Sequence, residues 1–263
     1  STNVNLSDFN ELESTVYDVS GRIAFLGDVH PHEKIRDFGN EADSKIQNFA
    51  LEIFNDDELY KKYKEIDISN ADKESIEFHK DLGIDFKNAG HGLSDESRKR
   101  LIDIDKKLIE LGISYSENIA KDKTELKFSE AELNGLSKNE LNNLKKDKGK
   151  FIITMAYPNV NAVSENCNVR STREKVWKAF NNRAVKDNIP ILKEAVLLRN
   201  EKSKLFGFET WAEYRLQNRM AKNPKNVDSM YRDLIPKLQK SAEREKRELV
   251  IDDIEINDIS PWD

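Results

Sequence analysis

The sequence has 263 residues, 35% of them charged and 37% hydrophobic, with 43 Lys and Arg against 49 Asp and Glu for a formal charge of −6. That balance is too apolar for wholesale disorder, and both signs are interspersed, so nucleic acid is not the partner to expect. Ten glycines and six prolines give too few turns for a sandwich or barrel of many short strands, and no apolar stretch approaches the roughly 20 residues of a membrane span. A mainly α, membrane-free protein is the expectation.

In chain order, Phe9, Leu12, Val16, Val19, Ile23 and Leu26 recur every three or four positions and predict a core-facing helix. His30-Pro31-His32 interrupts it, and Ile35, Phe38, Ala42, Ile46, Phe49 and Ile53 predict a second helix, so that the two form a hairpin. Asp56, Asp57 and Glu58 mark the start of a shorter helix ending near Tyr63 or Ile66. Ser69 or Asn70 is read as the cap of a helix carrying Ile76, His79, Leu82 and Phe86, which stops where Gly90 and Gly92 free the backbone. Ser94 opens a long helix with its stripe at Leu101, Ile104, Leu108, Leu111, Tyr115 and Ile119.

The pattern changes between Lys123 and Val169. Leu126 and Phe128 alternate with charged residues, and Phe151 to Met155 is a β-branched run ended by Tyr157-Pro158, so each predicts a short strand. Between them, a short helix is expected to begin after Ser137 and to end at Gly149. Helices resume from Thr172 to about Val185. Another is expected to be capped by Asp187 or Asn188, with Pro190 in its first turn, and to run to a stop at Gly207. Thr210 and Glu213 have capping-box spacing, and Asn223-Pro224 opens a last helix through Val227, Met230, Leu234 and Leu238, in which Pro236 predicts a kink. Three segments follow: amino-terminal hairpins over 1–122, a small strand-containing insertion over 123–169, and a helical segment over 170–263.

Catalytic constellations are hard to find. His32-Glu33 begins like the zinc signature H-E-x-x-H, but Arg36 stands where the second histidine should be, and a guanidinium has no lone pair to give a metal. His79 on an apolar stripe and His91 between glycines lack a second donor four residues on, and read as structural. The single Cys167 cannot form an intrachain disulfide, fits a reducing compartment, and has no basic neighbours to favour a thiolate. Carboxylate pairs such as Asp56-Asp57 or Asp252-Asp253 are commonplace in a chain this charged. No nucleophile elbow, phosphate loop or dinucleotide fingerprint occurs. No residue is therefore assigned as catalytic, cofactor-binding or metal-ligating, and no cofactor is expected in this chain.

The order of segments carries more information. Ser20-Gly21-Arg22-Ile23-Ala24-Phe25-Leu26 and Val29-His30-Pro31, the long helix from Ser94 through Asn118-Ile119, and Phe151 to Thr154 with Tyr157-Pro158 follow one another in a distinctive order. After them come Leu197-Leu198-Arg199-Asn200-Glu201-Lys202-Ser203-Lys204-Leu205-Phe206-Gly207-Phe208, Trp211-Ala212-Glu213-Tyr214 and Met220-Ala221-Lys222, and lastly Ile259-Ser260-Pro261-Trp262-Asp263. This order resembles the amino-terminal part of the thimet oligopeptidase, oligopeptidase A and dipeptidyl carboxypeptidase family of zinc metallopeptidases. The likeness extends over almost the whole chain. It implies helical hairpins that build one wall of a deep channel for short peptides.

The same resemblance places the family's H-E-F-G-H helix and its third, glutamate ligand after the Pro-Trp-Asp landmark, so every zinc ligand and the catalytic glutamate would be absent from this chain. Zinc would belong to a full-length enzyme, and the chain alone is expected to be inactive. Its expected partners are short peptides, the catalytic portion or a second copy, in the cytoplasm or in an organelle matrix reached through a removed presequence. The alternative is a non-enzymatic helical module that binds peptides or a partner protein.

Overall fold

The computed structural model describes residues 5–248 and 259–263, so the Asp252-Asp253 pair lies outside the described residues. The elements in order are α1 (Leu6–Val29), α2 (Glu33–Phe54), α3 (Asp57–Lys64), α4 (Lys73–Asn88), α5 (Asp95–Ala120), β1 (Glu125–Phe128), α6 (Lys138–Asn143), β2 (Lys146–Asp147), β3 (Lys150–Thr154), α7 (Tyr157–Asn166), α8 (Arg170–Asn181), α9 (Val185–Leu205), α10 (Trp211–Leu216) and α11 (Pro224–Glu248). The protein is mainly α, with one small sheet. It divides into two compact units, Ser1–Glu117 with Pro190–Gln217, and Asn118–Ile189 with Asn218–Asp263.

In the first unit α1 and α2 form the expected hairpin. Asn5 caps α1 through a capping box with Asp8, and Asp56 caps α3 by accepting from the Leu59 amide at 2.7 Å. The cap of α4 is Asp72, which accepts from the Ser75 amide at 2.7 Å, rather than Ser69 or Asn70. The hairpin does not bury its whole apolar stripe. Its closest approach is made by Gly27 and Gly39: a Cβ on Gly39 would stand 2.5 Å from the Gly27 nitrogen. Phe38 and Phe49 lie roughly 80–100° round α2 from Gly39, outside that contact, and are 60% and 51% exposed. The core forms instead where Phe9 meets Tyr63, Leu82 and Phe86, with the Phe9 and Phe86 rings edge to face at 6.1 Å. The α5 stripe is buried at Leu101, Ile104 and Leu111.

The second unit is built around the sheet, of order β1-β3-β2 and antiparallel throughout. Phe128 opposes Phe151, and Leu126 opposes Ile153. Phe151 and Ile153 point to one face, as the period of two requires, and meet Leu133, Val160, Val163 and Val176 in a core. One sequence expectation changes here. The helix after Ser137 ends at Asn143, because Lys146-Asp147 instead pairs with β3 across a two-residue turn. Lys148 and Gly149 both adopt positive φ, 48° and 79°, as that tight hairpin demands. The strand ends before Tyr157-Pro158, which opens α7. The proline sits in the first turn, where its missing N–H breaks no helical bond.

α9 starts at Val185, ahead of both expected caps, Asp187 and Asn188. Its entry is fixed from a distance, since the Ala184 amide donates to Asp122 Oδ2 at 3.0 Å while Ala184 adopts φ 52°. Pro190 therefore lies inside the helix rather than in its first turn. α11 runs on past Pro236 and has no buried residue.

Candidate functional site

The histidines do structural work. Arg36, in the place of a second zinc ligand, donates to the His30 and Pro31 carbonyls at 2.7 and 3.0 Å and so ties α2 to the turn before it. His79 stacks on Tyr63 at 4.5 Å. His91 stacks on Tyr60 at 4.0 Å, with Nε2 2.9 Å from the Phe54 carbonyl, and burial holds its pKa below the usual histidine value. Cys167 is buried in the second core, its Sγ 3.4 Å from the Glu132 carbonyl. Among the described residues no group of three or more His, Cys, Asp or Glu could hold a metal ion.

The Leu197–Phe208 block proves to be a junction of α9 with α5 and α10. Glu201 accepts both arms of Arg100 at 2.6 and 2.7 Å, and Lys202 reaches Asp105 at 2.5 Å. The helix ends in a Schellman motif: the Gly207 amide donates to the Lys204 carbonyl at 3.0 Å, and the Phe208 amide to the Ser203 carbonyl at 3.0 Å. Gly207 takes φ 78°, which only glycine adopts cheaply. Thr210 and Glu213 form the expected capping box of α10. That box sets Tyr214 flat against Phe206 at 5.1 Å, with its hydroxyl donating to Asn88 Oδ1 at 3.1 Å. Burial pushes the Tyr214 pKa up to about 12.

In the second unit the Pro-Trp-Asp turn is clamped onto α8. Arg170 grips the Asp263 carboxylate with two bonds, at 2.5 and 2.9 Å, and holds its pKa below the usual carboxylate range. Arg173 Nε donates to the Trp262 carbonyl at 2.6 Å, and its Nη1 to the Cys167 carbonyl at 2.8 Å. The Trp262 ring meets Trp177 edge to face at 5.3 Å and lies 5.2 Å beneath the Lys178 ammonium. Its Nε1 is buried with no hydrogen-bond partner among the described residues. Neither Arg170 nor Lys178 stands out from the sequence. Their only signal was a spacing that puts them on the same side of a helix as Arg173 and Trp177.

A cleft of about 620 Å³ opens in the first unit among α1, α2, α4, α5 and α9. Phe9, Leu12, Val16, Ile46 and Leu108 make its walls apolar, and Glu13, Asp85, Asp105 and Lys202 interrupt them. Burial raises the pKa of Glu13, helped by the charges of Asp85 and Asp81. Asp85 is raised by burial and by Asp81. Asp105 is raised by burial despite its Lys202 partner. None of these carboxylates was singled out from the sequence, because each stands beside an apolar stripe and reads there as the solvated edge of a helix.

Residues 163–263, which hold the clamp and the α9 junction, match the model of Peptidase family M3. Over 84% of its length the chain is 31% identical to a thimet-like oligopeptidase of Dictyostelium discoideum, covering 34% of that protein. The chain belongs to peptidase family M3. It is also 26% identical to oligopeptidase A of Salmonella typhimurium, over 94% of this chain and 40% of that protein. With the mitochondrial intermediate peptidase of Debaryomyces hansenii it shares 27% identity over 98% of this chain and 36% of that protein. The chain thus spans 34% to 40% of the length of these three relatives. Among the described residues no helix is long and apolar enough to cross a membrane.

Proposed function

We propose that the chain is the amino-terminal portion of a zinc metallo-oligopeptidase that cleaves short peptides inside a deep channel, and that this portion builds a wall of the channel without performing the chemistry. The observation that carries the reading is similarity along nearly the whole chain to proteins named oligopeptidases, of which it covers 34% to 40%. Zinc in such an enzyme activates the water that attacks the peptide carbonyl. In this reading the portion acts by shape and by binding; among its described residues no group of three or more His, Cys, Asp or Glu could hold a metal ion. The catalytic remainder docks in part on α11, where Met230, Leu234 and Leu238 recur at helical spacing and are exposed. An uncovered apolar stripe of that kind marks an interaction surface.

The test compares the 263-residue chain with a longer one that continues through the coding sequence after Asp263. The shorter chain is expected to bind no stoichiometric zinc and to leave a quenched fluorescent peptide intact, while the longer one binds one zinc and cleaves it. One tightly held zinc on the 263-residue chain, with hydrolysis, would overturn the proposal. A longer chain with no H-E-x-x-H and no hydrolysis would favour the non-enzymatic binding module.

A further inference from the structure

We propose that the cleft of the first unit is a binding site for an aliphatic cation, an ammonium or guanidinium group carried on a hydrocarbon arm. This goes beyond the peptidase reading and does not depend on it. The volume, about 620 Å³, is in the range of small-ligand sites, and such sites combine apolar walls with a few convergent polar groups. Phe9, Leu12, Val16 and Leu108 offer the walls.

The charge decides the class of ligand. Lys202 is the cation of the lining, and it is taken up by Asp105 at 2.5 Å with both side chains largely buried. Glu13 and Asp85 are left facing the same space with no ion-pair partner among the described residues, and each is raised by burial and by acidic neighbours. An anion would meet three carboxylates and one neutralised lysine. A neutral hydrocarbon would cover Glu13 and Asp85 without replacing the water it displaced, which costs free energy. A cation on an aliphatic arm satisfies both the walls and the carboxylates, and its approach is favoured by the field of the pair.

The pH response follows from every titratable group that faces the cleft: Glu13 and Tyr17 from α1, Asp85 from α4 with Asp81 behind it, Asp105 from α5 and Lys202 from α9. α2 lines the cleft without a titratable side chain, its polar member being Gln47. Binding requires Glu13 and Asp85 ionised. It is therefore lost as pH falls through their raised values, at a higher pH than for carboxylates in water.

Calorimetric titration of the full chain with n-octylammonium, n-octanol and n-octanoate tests the site. Octylammonium is expected to bind about tenfold or more tightly than octanol, since a charge-assisted bond to a carboxylate is worth at least that factor, and octanoate not at all. Neutralising the pair in E13Q/D85N should weaken octylammonium about tenfold and leave octanol unchanged. Filling the cleft with Ala50→Trp should remove both. Should either variant misfold, the native protein serves by itself, because octylammonium affinity must fall between about pH 7 and about pH 4 while octanol affinity does not.

Equal binding of octanol and octylammonium, or unaltered octylammonium binding in folded E13Q/D85N, would overturn the proposal.

Discussion

The α1–α2 hairpin and the sheet of the second unit are held together in opposite ways. The hairpin is long and regular, yet the residues it buries are Phe9, Gly27 and Gly39, and its closest contact is backbone against backbone. The sheet is short, with strands of two to five residues, yet it stands on a nine-residue core that runs from Phe128 to Val176. Apolar periodicity therefore measures helix formation and not burial. A stripe shows which face a helix would bury, while the amount it buries depends on how closely its neighbour can approach. Two glycines let the hairpin close at one point, and Phe38 and Phe49, on another face of α2, stay exposed.

The largest effect is expected from Phe151→Ala. Phe151 is 3% exposed and faces Phe128 across the ladder, so truncation should cost about 3–5 kcal/mol of stability in urea unfolding. A loss below about 1 kcal/mol, the size of an ordinary surface change, would mean that the sheet core is not the anchor of its unit.

Gly39→Ala sharpens the same contrast. A helical alanine gains up to about 1 kcal/mol of propensity over glycine. Here its Cβ would press on the Gly27 backbone, which cannot swing aside, and overpacking of that sort costs about 1–3 kcal/mol. Hydrogen exchange should accelerate along α1 and α2 while the β3 amides keep their protection. Uniform acceleration, or a stabilised hairpin, would contradict the close approach.

The smallest effect separates the carboxylates of the two units. Arg170 holds Asp263 below the usual range, so the stability it contributes is present above its unfolded pKa and is lost as pH falls through the folded value. Glu13 and Asp85 are raised. In the window between their unfolded and folded values the native state holds the extra protons, and stability declines as pH rises through that window. Carbon-detected titration should find Asp263 below, and Glu13 and Asp85 above, ordinary carboxylates. Arg170→Ala should return Asp263 towards the ordinary value and leave the other two unmoved.

Much of the protein is determined by sequence. The α1–α2 hairpin, the long α5, the strands at Glu125–Phe128 and Lys150–Thr154, the capping box at Thr210 and the stop at Gly207 all follow from local rules of period, capping and backbone freedom. Family membership followed too, since it rests on the order of short segments. Only the tertiary structure decided what depends on partners distant in sequence. Lys146-Asp147 became a strand because β3 was there to pair with it, and α9 starts where Asp122 receives the Ala184 amide. Trp262-Asp263 is fixed by arginines some ninety residues earlier. The cleft carboxylates differ from the many solvated ones on this chain only in the apolar side chains folded around them, because desolvation belongs to a place in the fold and leaves no mark on a residue's immediate neighbours in sequence.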